Sequence, residues 1–124
     1  MTRAAGTILI VDDEPSLLRL MSAYLQRRGY QVLTFTSTDK AWEHVRAEPA
    51  AVALAVVDVS MPGLSARELG ARLLAANPRT QVIFASGYPA AVHEIESSDD
   101  ARISFLHKPF TPEMLGEHAQ RVLG

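Results

Sequence analysis

The chain has 124 residues, of which 48% are hydrophobic and 21% charged, enough for one domain with a core of its own and no need of staples. A net charge of -2 with no basic stripe gives direct nucleic-acid binding little support. The absence of cysteine excludes disulfides and thiolate metal sites and is compatible with a reducing cytosol. The first residues lack the apolar segment of a signal peptide, and no apolar run approaches the ~18 residues of a membrane span, so a cytoplasmic single domain is expected.

Taken in chain order, Thr7–Val11 reads as a strand and Glu14–Arg28 as a helix. Leu17, Leu18, Met21 and Leu25 fall on one face of that helix. Pro15 suits its first turn, and Gly29 the left-handed position just past its end. Tyr30–Phe35 is the second predicted strand. A helix over Thr38–Glu48 turns Ala41, Trp42 and Val45 inward. Val52–Val57, almost all β-branched or small, predicts a central strand covered on both faces.

Ser60-Met61-Pro62-Gly63 breaks either regular pattern and reads as a loop. Ala66–Ala76 returns to helical spacing through Leu69, Leu73 and Ala76, and Asn77-Pro78 stops it. Gln81–Ala85 is the fourth strand. Pro89–Asp99 is a short acidic helical pattern with only Val92 and Ile95 as apolar anchors. Ile103–Leu106 is the fifth strand. Thr111-Pro112 caps a last helix carrying Leu115, Ala119 and Val122. Five strand–helix alternations predict a doubly wound α/β domain over residues 1–124, with its core at about 7–123 and helices on both faces of a parallel sheet.

The informative polar residues each follow an apolar run. Asp12 and Asp13 follow the first strand, Asp58 the third, Ser86 the fourth and Lys108 the fifth. Ligands of open parallel sheets bind beyond the carboxyl ends of the strands, so these side chains are expected to converge. Crowded carboxylates repel, and a divalent cation relieves that repulsion. An all-oxygen set favours Mg²⁺ over zinc. A carboxylate can also take up a phosphoryl group as a nucleophile, with a metal, an ammonium and a hydroxyl stabilising the charge on its oxygens.

Each residue alone has a plainer reading. Asp12-Asp13-Glu14 suits a helix start, Asp58 a loop cap, and Ser86-Gly87 a turn. It is their joint occurrence at four strand ends that argues for chemistry. His44, His93, His107 and His118 have no ligand spacing and are expected at the surface or its boundary.

Four segments resemble the response-regulator receiver domain of two-component signalling: Leu9-Ile10-Val11-Asp12-Asp13-Glu14, Val57-Asp58-Val59-Ser60-Met61-Pro62-Gly63, Ala85-Ser86-Gly87-Tyr88 and Leu106-His107-Lys108-Pro109-Phe110. The resemblance runs over essentially the whole chain. It implies a flavodoxin-like sheet of five parallel strands in the order 2-1-3-4-5 with five helices. It implies Mg²⁺-dependent transfer of a phosphoryl group to Asp58 from the phosphohistidine of a histidine kinase or phosphotransfer protein. Asp13 and Asp58 would hold the metal beside the Ser60 carbonyl, with Asp12 acting through water.

By the same likeness, Ser86 and Lys108 would contact the phosphoryl group, and Lys108-Pro109 would be cis. Phe105 would turn inward as Ser86 moves, changing the face built from the fourth predicted helix, the fifth strand and the last helix. Phe105 lacks the hydroxyl of a tyrosine switch, and Ala66 stands where a glycine is frequent. Tyr88 is expected to shield the acyl phosphate partly. Such a domain is a signalling switch that assists only its own phosphorylation and dephosphorylation. Its output is expected through a downstream protein or a fused kinase, as in hybrid histidine kinases. Two other classes were weighed: a Mg²⁺-dependent aspartyl-phosphate hydrolase, disfavoured because Asp12 and Asp13 are adjacent and no cap insertion exists, and a pseudo-receiver that binds without phosphorylation, disfavoured by the complete acidic set.

Overall fold

The computed structural model describes residues 6–48, 51–61, 64–87 and 100–123. Five strands, β1 (Thr7–Val11), β2 (Gln31–Phe35), β3 (Val52–Asp58), β4 (Gln81–Ser86) and β5 (Ile103–His107), form one parallel sheet in the order β2-β1-β3-β4-β5. Four helices lie among the described residues: α1 (Pro15–Arg27), α2 (Thr38–Val45), α3 (Ala66–Ala76) and α4 (Pro112–Leu123). The expected order of strands is therefore met. The five expected helices are not all seen: the Pro89–Asp99 segment lies outside the described residues, as do Tyr88 and Pro62-Gly63 of the predicted loop.

Alternation along the strands splits the core in two. Leu9, Val11, Ala55, Val57 and Phe84 face α2 and α3, where they meet Ala41, Val45, Leu69 and Leu73. Ile8, Ile10, Leu54, Val56 and Ile83 face α1 and α4, where they meet Leu18, Met21, Leu25, Leu115 and Ala119. Burying each such large side chain stabilises the fold by about 1.5–3 kcal/mol. β3 is buried along nearly its whole length, as its composition predicts for a central strand. A register shift between Thr7 and Ile8 moves Val52 to the opposite face from Leu54.

Local signals act as expected at several ends. Pro15 opens α1, and Gly29 takes φ +99° just past it. Ser65 caps α3 by accepting from Glu68 N–H at 3.0 Å. Two expectations fail by small rotations. In α3 Leu74 is buried while Ala76 is exposed, because the helix leans its second leucine row onto the sheet. His118 is buried at 6% exposure, not at the boundary, because α4 turns it towards β5, where its Nε2 lies 2.9 Å from Ser104 Oγ.

Candidate phosphoacceptor site

All the catalytic candidates stand at the carboxyl end of the sheet. Asp58 and Ser86 are the last residues of β3 and β4, Asp12 and Asp13 follow β1, and Lys108 follows β5. Backbone bonds continue the ladder past the strand ends and fix the loops: Asp12 N–H donates to Phe35 O at 3.1 Å, Val59 N–H to Ala85 O at 3.0 Å and Lys108 N–H to Ser86 O at 2.9 Å. The site is therefore held by the sheet itself, not by the loops alone.

Asp12 and Asp58 are buried, at 4% and 3% exposure, while Asp13 is exposed. Lys108 Nζ donates to Asp12 Oδ2 at 2.7 Å and to Asp58 Oδ2 at 3.1 Å. Burial works against the Lys108 charge, but the two hydrogen bonds and the negative charge of Asp12 and Asp58 outweigh it and raise its pKa above the ordinary lysine value. The ammonium is therefore charged throughout the physiological range. Ser60 donates to Asp58 Oδ1 twice, from its backbone N–H at 3.0 Å and from its hydroxyl at 2.9 Å.

Asp13, Asp58, Ser60 and Lys108 open onto a cleft of about 650 Å³ whose other walls are Glu14, Leu17, Gly87, Pro109 and Phe110. Oxygen atoms of Asp12, Asp13 and Asp58 all lie within 4.8 Å of one another. One ammonium cannot balance three carboxylates so placed, and the donor set is entirely oxygen. These residues fit a hard divalent cation.

Lys108-Pro109 is cis. Ser86 is buried at 2% exposure. Phe105 pairs in register with Phe84, with ring centroids 6.2 Å apart, and is half-buried against the α2–α3 side of the core. Strand alternation puts Ser86 on the Phe84 face of β4, so the two expected switch residues share one side of the sheet. The sequence reading placed the Ser60 carbonyl beside the metal but did not include its hydroxyl bond to Asp58. A serine two residues after an aspartate is the local signal that could have suggested it.

The sequence pattern of the response regulator receiver domain matches residues 8–120. The chain belongs to that family. It is 33% identical over 106 residues to the response regulator GtcR of Aneurinibacillus migulanus, covering 86% of this chain and 43% of that protein. It is 31% identical to the sensor kinase CckA of Brucella abortus, covering 96% of this chain and 13% of the kinase. The chain thus spans less than half the length of either relative. The crystal structure of a response regulator receiver protein from Sinorhizobium medicae superposes with a TM-score of 0.83 at 27% identity, covering 95% of this chain and 94% of that one. The receiver domain described here is accordingly a two-component signalling module, and among its described residues no helix is long and apolar enough to cross a membrane.

Proposed function

We propose that this receiver accepts a phosphoryl group on Asp58 from the phosphohistidine of a histidine kinase or phosphotransfer protein. The observation that carries the reading is the Asp58 carboxylate itself: buried, oriented by Ser60, ion-paired to Lys108 at 3.1 Å and reached through an open cleft. An Asp58 oxygen attacks the phosphorus, the nitrogen–phosphorus bond breaks, and the imidazole keeps that electron pair. Lys108 would then stand where the phosphoryl oxygens gather charge, and Ser86, the last residue of β4, would contribute its hydroxyl.

Asp12, Asp13, Asp58 and the Ser60 carbonyl are the groups proposed to hold Mg²⁺. When bound, the cation would relieve carboxylate repulsion and supply positive charge to the phosphoryl oxygens. The remaining residues act without it: Ser60 fixes the acceptor rotamer, and Lys108 holds the second oxygen of both Asp12 and Asp58. Ser86 and Phe105, on one side of the sheet, would form the switch, biased by the charge gained at Asp58. In this reading residues 1–124 act as one cytoplasmic receiver unit that processes no separate substrate and signals to a downstream protein or a fused kinase.

The test is intact mass after incubation with Mg²⁺ and acetyl phosphate, beside an Asp58→Asn control. One phosphoryl adduct that needs Mg²⁺ and disappears in the variant is expected. No adduct with that donor and none with a phosphohistidine donor would leave a module that signals by binding alone.

A further inference from the structure

The loop that leaves Asp58 is fastened at its far end by α2. Both polar backbone atoms of Leu64 are answered there: Thr38 Oγ1 donates to Leu64 O at 2.6 Å, and Leu64 N–H donates to Asp39 Oδ2 at 3.3 Å. Thr38 is completely buried. Capping of α2 does not explain its hydroxyl, because Ser37 already fills the cap and accepts from Lys40 N–H at 3.3 Å. Threonine is also a mediocre helix former, so local propensity gives no reason for it. Its hydroxyl instead bonds a carbonyl 26 residues along the chain.

What that bond holds is the exit of the acceptor loop. Leu64 stands directly before Ser65, the cap of α3, and four residues after Ser60. Between them Met61 is buried in the same core cluster as Ala41 of α2 and Ala66 of α3. Ser60 in turn fixes Asp58 Oδ1 through its N–H and its hydroxyl. Leu64 itself packs against that core cluster, so its tie to α2 bears on Met61 and, through it, on the adjacent Ser60.

We propose that Thr38 is a positioning residue for the phosphoacceptor site, acting through Leu64 and the core around Met61 to set Ser60 and, with it, the Asp58 carboxylate. The proposal rests on the phosphoacceptor reading, yet metal binding tests it separately. Thr38→Val keeps the shape of the side chain and removes the hydroxyl; Thr38→Ser keeps the hydroxyl.

Titration of the full chain with MgCl₂ by calorimetry reads the effect without any phosphoryl donor. Thr38→Val should bind Mg²⁺ roughly tenfold more weakly, as expected when a partner behind the ligands is lost. Thr38→Ser should restore wild-type affinity. Asp39→Ala removes the other half of the clamp from an exposed site and should weaken binding by a smaller factor, more than the charge-matched control Glu43→Ala does. Should Thr38→Val fail to fold, that comparison decides alone.

Equal Mg²⁺ affinity in wild type and Thr38→Val, a serine variant that stays weak, or a wild-type chain that binds no Mg²⁺ would each overturn the proposal. Failure of the phosphoacceptor reading looks different: Mg²⁺ binds and responds to Thr38, but no mass adduct forms.

Discussion

Asp12 and Asp58 divide their carboxylate oxygens in the same way. In each, Oδ1 accepts from the backbone N–H two residues on, Glu14 at 3.0 Å and Ser60 at 3.0 Å. In each, Oδ2 accepts from Lys108. The turn-forming role of an aspartate at a strand end and the ion pair with Lys108 thus fall to different atoms of one side chain. The turn bond holds the rotamer that gives the second oxygen to Lys108.

Lys108→Met should therefore do two opposite things. Phosphorylation of Asp58 by acetyl phosphate should fall by about 10²-fold, because a charge aimed at the developing phosphoryl charge is lost. Mg²⁺ should bind more tightly, since the ammonium no longer competes for the carboxylates. Its raised pKa also fixes a stability signature in metal-free buffer. The ion pairs contribute fully below the unfolded lysine value of about 10.4 and lose that contribution as pH rises through the higher folded value. Thermal melts of wild type and variant should differ by a constant amount from neutral pH to about 9 and converge only in strong alkali. Convergence already near neutrality would contradict the assignment.

His118 has the opposite sign. Burial, and secondarily the charge of Arg121, lower its pKa. The folded chain then holds fewer protons than the unfolded one, so this contribution is present above the unfolded value of about 6.5 and is lost as pH falls from there to the folded value. Melting temperatures of wild type and His118→Gln should track each other above about pH 7, and the wild type should lose more on acidification to pH 5. Parallel curves throughout would show that His118 does not titrate in this window.

Close packing makes a second kind of distinction, between two helical glycines. A Cβ on Gly70 would lie 2.8 Å from Cζ of Phe84, which is fully buried; one on Gly116 would lie 2.7 Å from Cε2 of Tyr24, which is half-buried. Alanine gains about 1 kcal/mol of helix propensity at either place. At Gly70 the clash with an immobile ring outweighs it, and chemical denaturation should show a net loss of about 1–2 kcal/mol. At Gly116 the tyrosine ring can swing towards solvent, and the variant should be near neutral.

The acidic rim was legible because it depends on local order: an apolar run must end somewhere, and Asp12, Asp58, Ser86 and Lys108 occupy those ends. Alternation of strands and helices pointed to the α/β class, and the strand order came from the family likeness alone. What escaped were contacts between distant segments that no motif marks. Thr38 gives no sign in the sequence that it reaches Leu64, and nothing near His118 announces Ser104. Likewise Leu74 and Ala76 both suit a helical stripe, and only the lean of α3 on the sheet decides which is buried. Pairwise contacts across the fold carry no local pattern to read.

The cleft also has an apolar side that small phosphodonors do not need. Leu17 and Phe110 line it, and Leu20, one turn after Leu17 on α1, is 60% exposed. Met114, in the first turn of α4 just after Phe110, is 44% exposed. These are the exposed large hydrophobic side chains among the described residues, and they stand on α1 and α4, close in sequence to the cleft residues Leu17 and Phe110. On the proposed function, an apolar rim beside a charged centre suits a helix of a phosphohistidine partner that brings its imidazole to Asp58. Leu20→Glu should reduce transfer from a phosphohistidine protein roughly tenfold, the cost of losing one central apolar contact. Phosphorylation by acetyl phosphate, which touches only the acidic floor, should be unchanged. Equal losses with both donors would place the effect of Leu20 in the fold of α1 and remove the case for docking there.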